Sequence, residues 1–424
     1  SAFNDIDAVP ATASHYLMTD ILRKEWGFNG FVVTDFTAIN ELVPHGVAAD
    51  SMEAGALALN AGINMDLQGD IYHRFLKQLV EQKKVSLRQV DRMCAGVLRV
   101  KCALGLFNDP YRYLDTTAAA REFYKPENLA AARDMARKSI VLLKNDNRTL
   151  PITAGRKIAL IGPFVNSRID LLGSWYGQGD TSHVVSILQG MQERFGRNKI
   201  IYAHGAPYEQ ESRIGFRSAL QAARNSDVAV VAVGLPGSWS GEATSMTTIS
   251  LPKIQQELIA AIRTTGKPLV LLLLNGRPLD LSWESSVADA IVEAWYPGTE
   301  GGHAVADMLS GDFNPCGKLT MTFPRTLGQV PIHYDMKNTG RPFTPNVGEQ
   351  HYVSRYIDLP DNTPLYPFGY GLSYTTFEYS DLRISPDKSD MKHPIEVSVT
   401  VRNSGERSGT EVVQLYLQDV VASV

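Results

Sequence analysis

Cysteine is scarce: Cys94, Cys102 and Cys316 are the only three in 424 residues. They supply no disulfide framework and no metal-ligand spacing. Cys94 and Cys102 fall on one predicted helix about 12 Å apart, beyond the reach of a disulfide. Charge of one sign is lacking too, since 41 Lys and Arg against 45 Asp and Glu leave a formal net charge of −4. The basic footprint of a nucleic-acid or anionic-lipid binder is thereby excluded, and an uncharged or small substrate is indicated. No run is apolar enough to enter a membrane. The best, Pro268-Leu-Val-Leu-Leu-Leu-Leu-Asn275, falls well short of the ~20 residues a spanning helix needs and reads as a strand buried on both faces. The glycine fingerprints of nucleotide sites are missing as well. The lone Gly162 is followed by Pro163 and Phe164, which removes an amide donor where a phosphate would sit. The nine histidines include no i, i+4 pair beside a carboxylate, so metal-dependent hydrolysis finds no support. His45 and His303 read as loop or helix-surface residues. The chain opens on Ser1-Ala-Phe-Asn4, without Met or a signal-like segment. That opening looks like the end of a buried strand, so position 1 reads as an internal cut.

What is present is α/β periodicity long enough for two or three domains. Up to about residue 110 a βα rhythm runs: helix 11–26, strand 31–35, helix 51–60, strand 63–67, then helices to about 104. Tyr16, Leu17, Ile21 and Leu22 make an apolar stripe while Asp20, Arg23, Lys24 and Glu25 face away, as on helices outside a parallel sheet. Three strand ends cannot close an eight-stranded barrel of ~250 residues. After a polar connector come candidate strands at 157–162, 199–204, 227–234, 268–275 and 290–295, with helices such as 255–264 between them. This is the pattern of an open, mostly parallel α/β sheet. A Pro/Gly-rich stretch over 328–371 leads to strands at 376–385, 394–403 and 409–418. In the second of these, the period-two alternation of Ile395-Glu-Val-Ser-Val-Thr-Val-Arg402 predicts a half-buried antiparallel strand. Three strands are fewer than the ~7 of a sandwich, so this module also looks cut short.

Two carboxylates stand out by position. Asp35 ends an apolar strand, where barrel active sites lie, and it is equally suited to cap a following helix. Glu242 lies in Gly237-Ser-Trp-Ser-Gly-Glu-Ala-Thr-Ser245, a loop of small residues after a buried strand. It reads either as a residue presented to a neighbour or as a solvated loop carboxylate. The residues alone leave both pairs of readings open.

Longer motifs narrow them. Trp26-Gly-Phe-Asn-Gly-Phe-Val-Val-Thr-Asp35 closely resembles the nucleophile strand of glycoside hydrolase family 3, especially its periplasmic-type bacterial β-glucosidases. Ala61-Gly-Ile-Asn-Met-Asp66 resembles the last barrel strand of that family. Ser139-Ile-Val-Leu-Leu-Lys-Asn145, with Leu150-Pro151, resembles the opening of its second domain. Tyr296-Pro-Gly-Thr-Glu-Gly-Gly302, Asn314-Pro-Cys-Gly-Lys318, Phe323-Pro324 and Tyr366-Pro-Phe-Gly-Tyr-Gly-Leu-Ser-Tyr374 follow in the family's order. The resemblance spans essentially the whole chain.

It implies an α/β fold in three parts: the C-terminal part of a (β/α)8-type barrel over 1–110, a linker over 111–131 and an α/β sandwich over 132–340. A linker over 341–374 and the start of a fibronectin-III-like β-sandwich over 375–424 would follow. It further implies a retaining exo-acting β-glucosidase with Asp35 as nucleophile and Glu242 as acid/base, their carboxyls ~5–5.5 Å apart. Glu242 must then begin protonated, which a partly dry cleft and a nearby anion favour.

Phe36, Trp175 and Phe3 are the expected sugar-facing aromatics, because aromatic faces suit the apolar side of a pyranose; the bland alternative for Trp175 is packing under its loop. β-Xylosidase or exo-β-glucanase activity is the alternative within the family; a non-catalytic carbohydrate-binding or assembly fragment is the alternative outside it. No cofactor, nucleic acid or membrane insertion is expected. The expected partners are a β-linked oligosaccharide or aryl β-glucoside, an N-terminal barrel segment of the same protein and a second copy of the chain, in a periplasmic or secreted setting. There are departures from the family pattern. The sugar-gripping residues of the earlier barrel strands have no counterpart. Ser245-Met-Thr-Thr248 replaces the usual Ser-Arg-x-Asp, which predicts a looser acid/base loop.

Overall fold

The computed structural model describes residues 1–344, 348, 351–390 and 392–421. The chain divides into two compact units, Ser1–Glu122 and Phe123–Val424.

In the first unit, β1 (Asp5–Ile6) and β2 (Val9–Pro10) form a hairpin that turns through Asp7 and Ala8, both at positive φ (51° and 62°). Two consecutive left-handed residues make the turn type that favours Asn-Gly. Ala8→Gly is therefore expected to stabilise the protein by roughly 0.5 kcal/mol, read as a rise in denaturation midpoint; a fall would mean that the turn is not held in this conformation. A short helical turn (Ala11–Ala13) precedes a helix wound with i→i+5 bonds (Tyr16–Glu25). Three helices follow: α1 (Ser51–Ala61), α2 (Ile71–Glu81) and α3 (Leu87–Ala103). The short α4 (Ala118–Glu122) ends the unit. The Asp50 carboxylate caps α1 through the Glu53 amide, and Ser86 with Gln89 makes a capping box on α3, so the two helix starts are set by local chemistry. Ile39, Leu42, Ala54, Ala58, Ile63 and Ile71 form the core.

Two expectations for this unit are corrected. The strands over 31–35 and 63–67 reduce to one parallel pairing, Val33 with Met65. On the other side Ser1 bonds in the same parallel pattern, its nitrogen donating to the Val33 carbonyl (2.6 Å) and its carbonyl accepting from the Asp35 amide (3.1 Å). The helix over 11–26 is broken, and no residue of Tyr16–Glu25 is fully buried. Arg23 does not face away: its guanidinium donates to the Gly30 and Gly62 carbonyls and to Asn64 Oδ1. The aliphatic stem lets a guanidinium reach inward where buried carbonyls offer acceptors.

The second unit opens with α5 (Pro126–Ser139), β3 (Val141–Asn145), β4 (Ile158–Ile161), α6 (Ile169–Leu172), α7 (Ile187–Phe195) and β5 (Ile200–Ala203). Then come α8 (Phe216–Arg224), β6 (Val228–Gly234), α9 (Lys253–Arg263), β7 (Leu269–Leu274), α10 (Ser282–Val287), β8 (Ala290–Glu293) and α11 (Gly301–Ser310). Six strands form one sheet in the order β3-β8-β7-β6-β4-β5, parallel except for β3. The α/β reading with a mostly parallel sheet thus stands, and the predicted strands lie within a residue or two of the observed ones.

Side chains alternate between two cores. Ile158, Leu160, Val230 and Leu272 pack with Met191, Val305 and Leu309 on one face. Ala159, Ile161, Val231 and Leu271 pack with Ala219, Leu258 and Ile262 on the other. Helices on both faces explain why these strands read as continuous apolar runs. Arg133 of α5 makes a bidentate ion pair with the buried Asp307 of α11.

Beyond the sheet, β9 (Phe377–Ser385) and β10 (Glu396–Asn403) pair antiparallel, as the alternation predicted. They are not half-buried: Tyr379, Leu382, Ile384, Val397 and Val401 are all exposed. Residues 409–418 form no strand among the described residues; side chains tie this stretch instead, as in Lys318–Glu411 and Gln414 to the Gly369 carbonyl. Parts of the expected 328–371 segment and of the 341–374 and 375–424 divisions lie outside the described residues.

All three cysteines are free, Cys316 buried and the others exposed. His45 is exposed as expected, but His303 is not a plain surface residue. Its ring nitrogens bond Glu300 (2.5 Å) and Glu193 (2.8 Å). Burial opposes its charge, yet these two carboxylates raise its pKa above the ordinary value.

Candidate active site

In the first unit, Asp35 ends the parallel-bonded segment. Thr34 before it is buried, its amide donating to the Met65 carbonyl (3.0 Å) and its hydroxyl accepting from the Leu67 amide (2.9 Å). Asp35 itself is exposed, and its Oδ1 accepts from the Phe36 amide at 2.7 Å. It caps no helix: the next helical turn, Asn40–Leu42, has Ile39 at its cap and no side-chain cap bond. The Phe36 ring is 56% exposed beside it, and Thr37 turns at φ 57° while its amide donates to the Leu67 carbonyl. Phe3 is half-buried, two residues beyond the Ser1 backbone that pairs with 33–35. Asp66, at the same end, is a tether that sequence reasoning missed. Its carboxylate accepts from the amides of Gly69 (3.2 Å) and Ile71 (2.7 Å), fixing the start of α2.

In the second unit the strand order places β5 on one side of β4 and β6 on the other, so the chain reverses direction of winding between β4 and β6. Loops leaving the carboxyl ends of strands at such a point form a natural crevice. The β4 loop carries Trp175 and the β6 loop carries Glu242. Gly162 ends β4 at φ 126°, and a Cβ there would lie 2.0 Å from the Ala232 carbonyl oxygen of β6. That close approach accounts for the lone glycine without a phosphate.

The two loops are tied together by Asp170, a buried carboxylate on α6. It accepts from Ser167 Oγ (2.6 Å), Tyr208 OH (2.6 Å) and the Gly237 amide (3.0 Å). Burial and the Asp170 carboxylate push the Tyr208 phenol up to about 12, so it remains a donor at neutral pH. Gln255 fixes the end of β6, exchanging two bonds with Gly234 (2.8 and 2.9 Å) while also donating to the Tyr208 carbonyl. Arg277 donates to the carbonyls of Trp239 and Thr244, one on each side of Glu242. Tyr296 OH reaches Ser240 Oγ and the Leu235 and Pro236 carbonyls. Arg277, distant in sequence, thus anchors this loop on both sides of Glu242. Asp170, Gln255 and Arg277 gave no signal in the sequence, since each acts on backbone far along the chain.

Glu242 is exposed and has no hydrogen-bond partner among the described residues. Its side chain is solvated although its loop is anchored. Trp175 is 75% exposed, so it does not pack under its loop. Gly241, at φ 111°, passes so close that a Cβ there would lie 2.9 Å from Ser174 Oγ and 3.0 Å from Trp175 Nε1. Gly241→Ala is expected to cost about 1–3 kcal/mol of local strain, shift tryptophan emission and lower kcat several-fold. Unchanged emission together with unchanged kcat would show that the two loops do not meet.

Comparison with known proteins places this geometry. Residues 140–374 match the glycosyl hydrolase family 3 C-terminal domain, and residues 1–100 match the family 3 N-terminal domain. The chain is 44% identical over 452 aligned residues to a periplasmic beta-glucosidase of Salmonella typhimurium, covering 100% of this chain and 58% of that protein. It is 37% identical to a beta-xylosidase of Formosa agariphila, covering 99% of this chain and 59% of that protein. A mutant beta-glucosidase from Listeria innocua, solved in complex with laminaribiose, superposes with a TM-score of 0.94 at 39% identity, covering 100% of this chain and 58% of the other. The chain therefore spans somewhat under three-fifths of the length of these relatives. With a family domain matched across more than half its length, at the loops and sheet just described, the chain belongs to glycosyl hydrolase family 3.

Proposed function

We propose that this chain carries both catalytic carboxylates of a retaining, exo-acting β-glucosidase that releases β-D-glucose from the non-reducing ends of β-linked oligosaccharides. The observation that carries the reading is the setting of Asp35. Its backbone is locked between Ser1 and the 65–67 segment while its carboxylate is exposed and, among the described residues, accepts a hydrogen bond from its own neighbour's amide alone. A nucleophile needs that combination of fixed position and accessible lone pairs.

In the proposed reaction Asp35 attacks the anomeric carbon as the glycosidic C–O bond breaks, and Glu242 delivers its proton to the departing oxygen. Glu242 then takes a proton from water, whose oxygen displaces Asp35 and restores the original configuration. Both steps run on carboxylates alone. Phe36, Trp175 and Phe3 would offer ring faces to the sugar.

We further infer the finer architecture: the C-terminal part of a (β/α)8-type barrel over 1–110, a linker over 111–131, the α/β sandwich over 132–340, a linker over 341–374 and a fibronectin-III-like module over 375–424. An N-terminal barrel segment of the same protein would complete the sugar site. A periplasmic or secreted setting is supported by the Salmonella relative's name; among the described residues no helix is long and apolar enough to cross a membrane. β-Xylosidase activity is the second reading, supported by the Formosa relative.

The test is hydrolysis of aryl β-glucosides and aryl β-xylosides by this chain and by the full-length protein. Preference for the glucoside supports the first reading, and preference for the xyloside the second. A full-length protein that binds the sugar without turning over either would sink both in favour of a non-catalytic role.

A further inference from the structure

Beneath the Glu242 loop lies a polar pair that the proposed reaction does not use. Asn275 follows β7 and Glu293 ends the neighbouring β8; both are fully buried. Glu293 Oε1 accepts from the Trp295 amide at 2.9 Å, and Asn275 Nδ2 donates to the Arg277 carbonyl at 2.8 Å. The two remaining oxygens, Glu293 Oε2 and Asn275 Oδ1, are buried and find no donor among the described residues. Leu273, two residues before Asn275, pairs with Glu293 in the sheet register, which brings the two polar side chains to neighbouring positions.

Two buried acceptors side by side are costly unless a proton lies between them. Turning the Asn275 amide over would not help, because its oxygen would then face the Arg277 carbonyl. Among the described residues no cation is available either. Arg277 is engaged by the Trp239 and Thr244 carbonyls. Lys144, on the strand paired with β8, is engaged by the Ser285 and Ala288 carbonyls and Asp146. The other titratable groups nearby are Tyr296, whose hydroxyl bonds Ser240 and the Leu235 and Pro236 carbonyls, and Asp170, bonded to Ser167, Tyr208 and Gly237.

We propose that Glu293 is a positioning residue: as a neutral acid it donates from Oε2 to Asn275 Oδ1, fixing the turn from which Arg277 holds the loop that carries Glu242. The consequence for the reaction rests on the reading of Glu242 as acid/base. The proton bridge itself does not. Burial agrees with it, pushing the Glu293 carboxyl up to about 8 despite the Trp295 amide and Asn275. Ionisation above that pH would set a buried anion against Asn275 Oδ1 and loosen the turn.

The experiment uses the full-length protein with Glu293→Gln and Glu293→Ala. The amide of Glu293→Gln can donate to Asn275 as the neutral acid does. It is expected to keep kcat at pH 7 within about threefold, whereas Glu293→Ala loses tenfold or more. The native enzyme should lose kcat above pH 8 through a step that Glu293→Gln removes. Infrared difference spectra of the native protein should show a protonated-carboxyl band at pH 7 that fades near pH 8 and is missing in Glu293→Gln. Loss of activity in Glu293→Gln equal to that in Glu293→Ala, or no such band at pH 7, overturns the proposal. Failure of azide to rescue Glu242→Ala, with the band and its titration intact, would overturn the link to the acid/base and so be told apart from failure of the bridge.

Discussion

Asp35→Asn in the full-length protein is expected to lower kcat on an aryl β-glucoside by about 10⁴-fold or more, equivalent to roughly 5 kcal/mol of barrier. The change is nearly isosteric. The amide can still accept from Phe36 through its oxygen, so the turn at 35–38 should persist and KM should change little. What is lost is the lone pair that forms the glycosyl-enzyme bond. Glu242→Ala should also lower kcat, but with a signature of its own. Substrates with good leaving groups should suffer least in the first step, and azide, entering the space of the missing side chain, should restore turnover by attacking the glycosyl-enzyme without base assistance. A full-length Asp35→Asn enzyme that kept its native rate would show that the nucleophile lies elsewhere. Family membership would then report fold and not these roles.

The second large effect is structural. Asp170→Ala is expected to destabilise the protein by about 3–5 kcal/mol, because it strands three donors at once. Ser167 Oγ, Tyr208 OH and the Gly237 amide all end on this one buried carboxylate. Asp170→Asn keeps one oxygen, which can still serve the Ser167 and Tyr208 hydroxyls that share Oδ2, and should cost roughly half as much. The measurement is the urea or guanidinium midpoint at unchanged m-value. Activity should fall with stability, since the Gly237 bond anchors the loop leading to Glu242. A cost below about 0.5 kcal/mol would mean that the donors find other partners and that the carboxylate does not tie the loops.

The parallel sheet was legible because strands covered on both faces must be apolar throughout. Val228–Gly234 and Leu269–Leu274 are runs that few other elements would show. The antiparallel edge strand Val141–Asn145 was not read as a strand, since pairing direction leaves no mark on composition. The helix over 11–26 failed for a related reason. Its apolar spacing predicts an amphipathic helix, but the winding and the inward turn of Arg23 answer to the Gly62 carbonyl and Asn64, about forty residues on. The uncovered face of β9 and β10 shows the limit of alternation as a signal, which predicts that a strand has two different faces and not that something covers either.

For the site, the sequence by itself determined which carboxylates to consider and on what kind of segment each stands. The long motif that ends at Asp35 and the run of small residues around Glu242 are local strings, and local strings survive being read in one dimension. Only the tertiary structure decided what holds them. Thr34 and Leu67, Asp170 and Gly237, Arg277 and the carbonyls of Trp239 and Thr244, and Gln255 and Gly234 are each joined by a hydrogen bond across about 20 to 70 residues. One partner in each is a backbone amide or carbonyl, groups that nearly every residue carries, so little in the identity of the partners announces the pair. Chemistry at the tip of a loop is written in its own residues, whereas the stiffness of that loop is written in residues that reach it only once the chain has folded.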